Sequence, residues 1–159
     1  MRRVGYDIRP ALFNYAGIGR YVRELAVALT KLEEGPFLDM FAPSWRAGRK
    51  IPEGLQADRH QIHRGFLPGR IMDKIHHLPG MDAGRFPAKV DLFHWTDYAW
   101  PRVRSAATIM TLHDAGFAVD PNFHGWKTSN LLDRVRRMLA RADLVIVPSA
   151  PCRKDAELL

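Results

Sequence analysis

Asn14-Tyr15-Ala16-Gly17-Ile18-Gly19-Arg20 joins a short N-terminal apolar run to the best amphipathic helix pattern in the chain. The run before it, Arg3-Val4-Gly5-Tyr6-Asp7-Ile8, is rich in β-forming residues and is closed by a proline, which predicts a strand that enters a loop over residues 9–16. After the loop, apolar residues recur at helical spacing up to Leu32. A second β-rich run, Phe37–Ala42, completes a strand–loop–helix–strand unit. Such units build parallel sheets.

The rest of the chain continues this alternation of strands and helices. One possible short strand and three clear strands are predicted, at residues 61–63, 90–95, 106–112 and 143–147. Leu131, Val135 and Met138 have the spacing of a helix before the last strand. Ser149 is a typical N-cap for a final helix, with Pro151 in its first turn. We therefore expect a single α/β domain with a mostly parallel sheet over residues 1–159.

The composition indicates one folded domain. The chain has 159 residues, of which 47% are hydrophobic, so it can build a real core but is too short for two ordinary domains. A charged fraction of 26% argues against disordered and fibrous classes. Lys and Arg (24) exceed Asp and Glu (17) by seven. This surplus predicts attraction to an anion, whether nucleic acid, a phosphorylated substrate or an acidic lipid.

Cysteine content and hydropathy indicate the compartment. Cys152 is the single cysteine, so no disulfide can form within the chain and a reducing compartment is expected. A predicted helix N-terminus near Cys152 favours a lowered thiol pKa, but no nucleophile signature surrounds it and we expect a structural role. No apolar run approaches the ~20 residues that span a bilayer. We expect a cytoplasmic protein whose membrane contact, if any, is peripheral at the inner face.

Residues 43–89 are the least regular part of the sequence, and residues 69–78 suggest a short helix. Between residues 59 and 89, six Lys or Arg residues accompany two acids. This region has two interpretations, a solvated surface or a basic contact surface for an anionic acceptor or a membrane. Its four histidines have no cysteine and few acids near them, so we expect solvated side chains rather than metal ligands: His60, His63, His76 and His77.

Gly17 and Gly19 stand at the mouth of the first predicted helix. Two glycines let a ligand approach the backbone, and the N–H groups of the first turn with the helix dipole favour an anion such as a phosphate. A dinucleotide fingerprint is disfavoured, because the preceding loop is long, Val22 replaces the third glycine, and Asp39 lies inside its strand. A P-loop is excluded, since no Gly-Lys-Ser/Thr triplet occurs. A simple glycine helix cap stays open as an alternative.

His113 and Asp114 directly follow the apolar run over residues 106–112, which is typical of a strand buried on both faces. In open α/β sheets, ligands bind at the carboxyl ends of the strands, so this pair is expected at the edge of a ligand crevice. Thr96-Asp97-Tyr98 forms a similar polar tip after the preceding strand. The alternative for His113-Asp114 is a strand-end turn in which the aspartate caps the backbone.

Several short motifs occur in order along nearly the whole chain. They are Val4-Gly5-Tyr6-Asp7-Ile8-Arg9-Pro10, Gly17-Ile18-Gly19-Arg20-Tyr21, Asp91-Leu92-Phe93-His94, Thr111-Leu112-His113-Asp114, Ala142-Asp143 and Pro148-Ser149. The glycine motif combined with a later Thr-x-His-Asp is the most specific pair. Together the motifs resemble the N-terminal domain of glycosyltransferase family 4. The resemblance implies a Rossmann-like three-layer α/β/α domain, which is the N-terminal half of a GT-B fold.

The resemblance also implies an activity. It is the transfer of a hexose, of mannosyl or glucosyl type, from a nucleotide sugar such as a GDP- or UDP-sugar to a hydroxyl of a glycan or lipid-linked acceptor, with retention of configuration. The implied donor phosphate- and sugar-binding residues are Gly17, Ile18, Gly19 and Arg20. The implied catalytic residues are His113 and Asp114, and the implied acceptor-binding residues are Thr96, Asp97 and Tyr98. Neither a cofactor nor a metal is expected.

In this family the C-terminal domain holds the nucleotide and carries a pair of glutamates, and these residues have no counterpart here. We therefore expect the C-terminal domain to be absent from this chain and the chain alone to be inactive. Two alternatives from other classes stay open. One is a basic anion- or nucleic-acid-binding α/β module without catalysis, which net charge alone supports, so nucleic acid is not the expected partner. The other is a stand-alone enzyme that uses a nicotinamide cofactor.

Overall fold

The structure is a computed structural model that describes residues 1–13, 17–42, 52–65, 71, 74, 78–85, 87–98, 101–119 and 128–159. Six strands are present in these residues: β1 (Arg3–Asp7), β2 (Phe37–Ala42), β3 (His60–Arg64), β4 (Leu92–Trp95), β5 (Ala107–Thr111) and β6 (Leu144–Ile146). They form one sheet in the order β3-β2-β1-β4-β5-β6, and every pair is parallel. This is the Rossmann-type order, in which the direction of winding reverses between β1 and β4.

Five helices accompany the sheet in the described residues. They are α1 (Arg9–Phe13), α2 (Ile18–Lys31), α3 (Gly116–Val119), α4 (Thr128–Leu139) and α5 (Ala150–Ala156), with a 3-10 turn at Ala57–Arg59. The predicted α/β fold with a mostly parallel sheet is thus confirmed. The predicted cap of the last helix is also present, because Ser149 Oγ accepts the Cys152 N–H at 3.3 Å.

The predicted loop over residues 9–16 was wrong in its first half, which forms α1. The Asp7 carboxylate accepts the Arg9 N–H at 3.2 Å, and Pro10 suits a first helical turn, so both residues favour this short helix. Asn14, Tyr15 and Ala16 lie outside the described residues. So does most of the short helix suggested for residues 69–78.

The two faces of the sheet carry separate hydrophobic cores. Alternate strand residues point to opposite faces, as in β2, where Met40 packs with Tyr6 and Val22 under α1 and α2 while Phe41 packs on the other side. The second core gathers the largest buried side chains of β4, β5, α3 and α4: Phe93, Trp95, Met110, Phe117, Val135 and Met138. This arrangement is the predicted three-layer sandwich.

Gly5 explains how closely β1 approaches the second core. A Cβ atom at this position would lie 2.4 Å from the Phe93 ring. A side chain here would therefore force the Phe93 ring out of a site in which it is 1% exposed. Burial of such a ring is worth about 1.5–3 kcal/mol, so glycine is the residue that keeps the two central strands paired over a full aromatic core.

Candidate functional site

The candidate site lies at the carboxyl edge of the sheet, beside the paired strands β1 and β4, where the strand order reverses. Parallel strands end together at this edge, and in α/β sheets the reversal point opens a crevice there. The structure brings the ends of β1, β4 and β5 and the start of α2 to this edge. We call this group the carboxyl-edge cluster: Asp7, Arg9, Gly17–Tyr21, His94, Thr96–Tyr98, Thr111, His113 and Asp114.

His113 is the partly exposed imidazole of this cluster, and two neighbours orient it. Its Nε2 lies 2.8 Å from the carbonyl oxygen of Thr96, and its ring meets that of Tyr21 edge-to-face with centroids 5.0 Å apart at 84°. A carbonyl can only accept a hydrogen bond, so Nε2 carries the proton in this contact. Nδ1 is thereby the nitrogen left for an approaching ligand, as an acceptor when the ring is neutral.

Gly17 forms the cap of α2 in a backbone conformation that other residues rarely adopt. Its φ is 52° and its ψ is −119°, and no side chain caps the helix. A Cβ at Gly17 would have no atom within 4 Å, so the backbone conformation, rather than lack of space, calls for glycine. Its carbonyl accepts the Tyr21 N–H at 3.1 Å, which starts the helix. The first-turn N–H groups and the dipole of α2 thus favour an anion beside His113.

Asp7 and Arg9 form a paired charge at the end of β1. Asp7 is fully buried, and the Arg9 guanidinium donates to both of its carboxylate oxygens at 2.8 and 2.7 Å. Arg9 also lies 5.6 Å from the centroid of the Phe41 ring. Sequence reasoning gave this pair no role beyond its place in a motif. The sequence feature that could have identified the pair is an aspartate at the carboxyl end of a predicted central strand.

Asp97 is the second carboxylate of the cluster. Burial raises the pKa of Asp97, and the negative charge of Asp7 raises it further, whereas the Tyr98 N–H, His113 and Arg9 oppose the shift. The Tyr98 N–H donates to Asp97 Oδ1 at 2.7 Å. Asp97 is therefore a carboxylate whose protonation state responds to the charge of its neighbours.

Thr96, Tyr98 and Asp114 hold the strand ends together. Thr96 is fully buried and its hydroxyl donates to the carbonyl of Asp7, which joins the ends of β1 and β4. The Tyr98 hydroxyl donates to the Asp114 carbonyl and accepts the Asp114 N–H, both at 2.9 Å. Asp114 Oδ1 accepts the Gly116 N–H at 2.7 Å. The strand-end turn in which this aspartate caps the backbone, the alternative given for His113-Asp114, is therefore present. The acceptor role of Thr96, Asp97 and Tyr98 stays a prediction.

His94 is the buried histidine of the cluster and was not identified as a site residue from the sequence. Its Nε2 is 2.8 Å from Thr111 Oγ1, and the Tyr21 hydroxyl is 3.3 Å from the same oxygen. Burial is the main cause that lowers the pKa of His94 to about 4, with Asp7 opposing the shift and the charge of His113 adding to it. His94 is therefore neutral at pH 7 and belongs to a buried polar network rather than to a charged one.

Two expectations about other side chains, those for His63 and Cys152, can be compared with the structure. The expectation that His63 is solvated was wrong, because its Nε2 lies 2.8 Å from Asp39 Oδ1 and its side chain is 15% exposed. Burial raises the pKa of the Cys152 thiol, which is opposite to the direction favoured by its helix N-terminus. His76 and His77 lie outside the described residues. Within the described part of the chain, no three His, Cys, Asp or Glu side chains form a group that could hold a metal ion.

A large cavity of about 1210 Å³ lies at the opposite, amino edge of the sheet. Three of its charged lining residues, Arg3, Arg59 and Asp91, hold chain segments together. Arg59, for example, donates to the carbonyl oxygens of Glu33 and Gly35 at 2.9 and 3.2 Å. Among the described helices, none has the length and apolarity needed to cross a bilayer.

Comparison with known proteins gives one result. The sequence model that describes Glycosyltransferase Family 4 matches residues 15–158. Neither the curated proteins nor the solved structures include a significant match. The family match covers nearly the whole chain and includes both the glycine turn and His113, and the all-parallel Rossmann-like sheet agrees with the N-terminal domain of this family. The chain therefore belongs to glycosyltransferase family 4.

Proposed function

We propose that this chain is the acceptor-side, N-terminal domain of a retaining glycosyltransferase. The enzyme moves a hexose of mannosyl or glucosyl type from a nucleotide diphosphate sugar to a hydroxyl of a glycan or a glycolipid. The observation that carries the proposal is the contact between Tyr21 and His113, which joins the N-terminal turn of α2 to an accessible imidazole at the carboxyl edge. An anion-binding turn and a hydrogen-bonding side chain for a sugar are thus adjacent.

In this proposal the glycine turn receives the donor. The N–H groups of Ile18, Gly19 and Arg20 and the positive end of the α2 dipole stabilise the diphosphate, whose negative charge increases as the glycosidic bond breaks. Gly17 has no side chain between the backbone and the phosphate. The His113 Nδ1 atom is available to a hydroxyl of the donor sugar, because Nε2 is already held by Thr96.

The chemistry proposed for the complete enzyme needs little covalent participation by this domain. The leaving diphosphate takes the proton of the acceptor hydroxyl on the same face of the sugar, so this chain supplies positioning and charge stabilisation. Asp97 and Tyr98 form the acceptor side of the crevice, and Asp114 keeps the loop after His113 in shape. A second domain supplies the nucleotide contacts and the glutamate pair. The scheme requires no cofactor and no metal.

We further propose a cytoplasmic enzyme that reaches lipid-linked acceptors from the inner face of the membrane. The positive net charge of seven supports attraction to acidic lipid. In this arrangement the acceptor approaches the same carboxyl edge that holds the donor.

The test is an activity assay on the full-length protein that contains this chain. UDP- and GDP-linked glucose and mannose are supplied with glycan and glycolipid acceptors, and release of the nucleoside diphosphate is measured together with the anomer of the product. We expect transfer with retention by the full-length protein and no turnover by residues 1–159 alone. An inverted product would contradict the retaining mechanism, and robust turnover by the 159-residue chain would contradict the need for a second domain.

The alternative function is tested in parallel. Salt-sensitive binding to random oligonucleotides, unaffected by any nucleotide sugar, would favour a basic binding module instead.

A further inference from the structure

We propose that Tyr21 is a positioning residue that holds the His113 ring and couples it to the glycine turn. The backbone of this residue closes the first turn of α2, and its side chain would then set the orientation of the imidazole. The catalytic consequence rests on the proposed function above. The coupling itself is a property of the contacts and can be tested without any substrate.

Tyr21 has contacts on three sides. Its N–H donates to the Gly17 carbonyl at 3.1 Å, so the backbone of Tyr21 closes the glycine turn. Its ring packs edge-to-face on the His113 ring, with centroids 5.0 Å apart. Its hydroxyl lies 3.3 Å from Thr111 Oγ1, on the strand that leads directly to His113. The residue therefore touches the turn, the imidazole and the strand at once.

The far side of this contact is rigid. Thr111 is 2% exposed, and its hydroxyl lies 2.8 Å from His94 Nε2. The His94 ring in turn meets the Tyr6 ring at 5.5 Å. The Tyr6 hydroxyl donates to the carbonyl of Val22 at 2.9 Å, which returns the network to α2. The first turn of α2 is thus fixed to the sheet through Tyr21 and through the residue next to it.

The contact matters for His113 because one hydrogen bond does not fix a ring. The partly exposed ring can turn to another side-chain rotamer in which Nε2 leaves the Thr96 carbonyl, so this bond alone does not hold the ring. The edge-to-face contact with Tyr21 removes this freedom and fixes the direction of Nδ1. A displacement of the glycine turn would move Tyr21 and with it Nδ1, so donor binding and imidazole orientation would change together.

Nuclear magnetic resonance of the imidazole nitrogens tests the coupling directly. Proton-linked ¹⁵N spectra of the histidine-labelled protein report which nitrogen of His113 carries the proton. We expect the Nε2–H form to dominate in the wild type and in Tyr21→Phe, which keeps the ring. We expect mixed tautomers in Tyr21→Leu, which removes it. Val22→Ala is the matched control, because it destabilises the same helix without touching His113 and should leave the His113 signals unchanged.

Kinetics of the full-length enzyme with its active nucleotide sugar test the consequence. An edge-to-face aromatic pair is worth an amount that corresponds to about a 2- to 12-fold change in rate. We expect Tyr21→Leu to lower kcat by about that factor with a smaller change in KM, and Tyr21→Phe to retain most of the wild-type kcat. Val22→Ala should lower the unfolding midpoint and leave kcat unchanged.

Two outcomes would overturn the inference. One is a Tyr21→Leu protein whose His113 spectra match those of the wild type. The other is a Val22→Ala protein that shows the same mixed tautomers as Tyr21→Leu, since the change would then follow from loss of stability alone. Absence of transferase activity in the wild type would reject the proposed function instead, and the spectra would still decide the role of Tyr21.

Discussion

The two edges of the sheet differ in what their polar groups do. At the amino edge, a cavity of about 1210 Å³ is lined in part by charges that bind other parts of the chain, as when Asp91 Oδ2 accepts the Arg3 N–H at 2.9 Å. At the carboxyl edge, the first turn of α2 contacts a partly exposed imidazole through the Tyr21 ring. In a parallel sheet, helices begin at the carboxyl edge and end at the amino edge. Helix N-termini attract anions, so only the carboxyl edge favours a phosphate. The volume of a cavity is therefore a poorer guide to the site than the direction of the helix dipoles.

The largest expected effect comes from removing the imidazole at the carboxyl edge. In the complete glycosyltransferase proposed above, His113→Ala should lower kcat/KM by about 100- to 1000-fold, the range typical of removing one preorganised hydrogen-bonding group from an active site. His60→Ala is the matched control, since His60 lies at the amino edge with its Nδ1 2.8 Å from the Gln56 carbonyl. Near-normal activity of His113→Ala would reject the placement of the site, and equal losses in both variants would remove the distinction between the edges.

A second expected effect is a pH dependence of stability that arises from His94. Its pKa is lowered from 6.5 to about 4, so the unfolded chain takes up a proton that the folded protein excludes. Stability is therefore unaffected by His94 above pH 6.5 and falls as the pH drops from 6.5 to 4, by about 3 kcal/mol. Urea unfolding of the wild type and of His94→Asn at pH 7 and pH 4.5 measures this loss of unfolding free energy.

The His94→Asn variant is needed because titration of Asp97 changes the stability with pH in the opposite direction. Its raised pKa means that folding gains stability from protonation of Asp97 as the pH falls. The loss of stability between pH 7 and pH 4.5 should be smaller in His94→Asn than in the wild type, and unchanged in His60→Ala at the other edge. Equal losses in all three proteins would exclude His94 as the source.

The smallest expected effect concerns the charges away from the carboxyl edge. Arg3 donates to both oxygens of Asp39 at 2.9 and 2.7 Å, and Asp39 is 3% exposed while Arg3 is 43% exposed. Since solvent screens the exposed partner, Arg3→Met should lower the free energy of unfolding by only about 1–2 kcal/mol. It should leave kcat/KM unchanged, and Arg2→Met, the exposed neighbour, should change neither. A loss of activity in Arg3→Met without loss of stability would link the amino edge to function.

Much of the fold was predictable, because the central strands are short apolar runs and the helices between them have clear periodicity. The exceptions have local causes. α1 was missed because Arg9-Pro10 resembles a loop, and its five residues depend on the Asp7 side chain. β3 was only a possible strand, since His60–Arg64 is polar and lies at the edge of the sheet, where its residues are half-exposed.

The residues of the candidate site were predictable where they directly follow a strand or cap a helix, and not elsewhere. His113 and the glycine turn have local signals. Tyr21 was named as the last residue of the glycine motif without a role of its own, and the His94–Thr111 contact joins two strands whose pairing no periodicity reveals. The partner of His63 is likewise on the neighbouring strand, 24 residues away. Contacts between strands depend on strand order, which is a property of the whole sheet.

The burial of Cys152 has a practical consequence for experiments on this chain. The thiol is 8% exposed, it lies 3.6 Å from the Leu112 carbonyl oxygen, and its pKa is raised. Thiolate is the form that reacts with maleimides and disulfide probes, so the natural cysteine reacts slowly at neutral pH. A new cysteine on an exposed position, such as Arg20 at the mouth of α2, can therefore carry a fluorophore without removal of Cys152, and its emission would follow ligand binding at the crevice in real time.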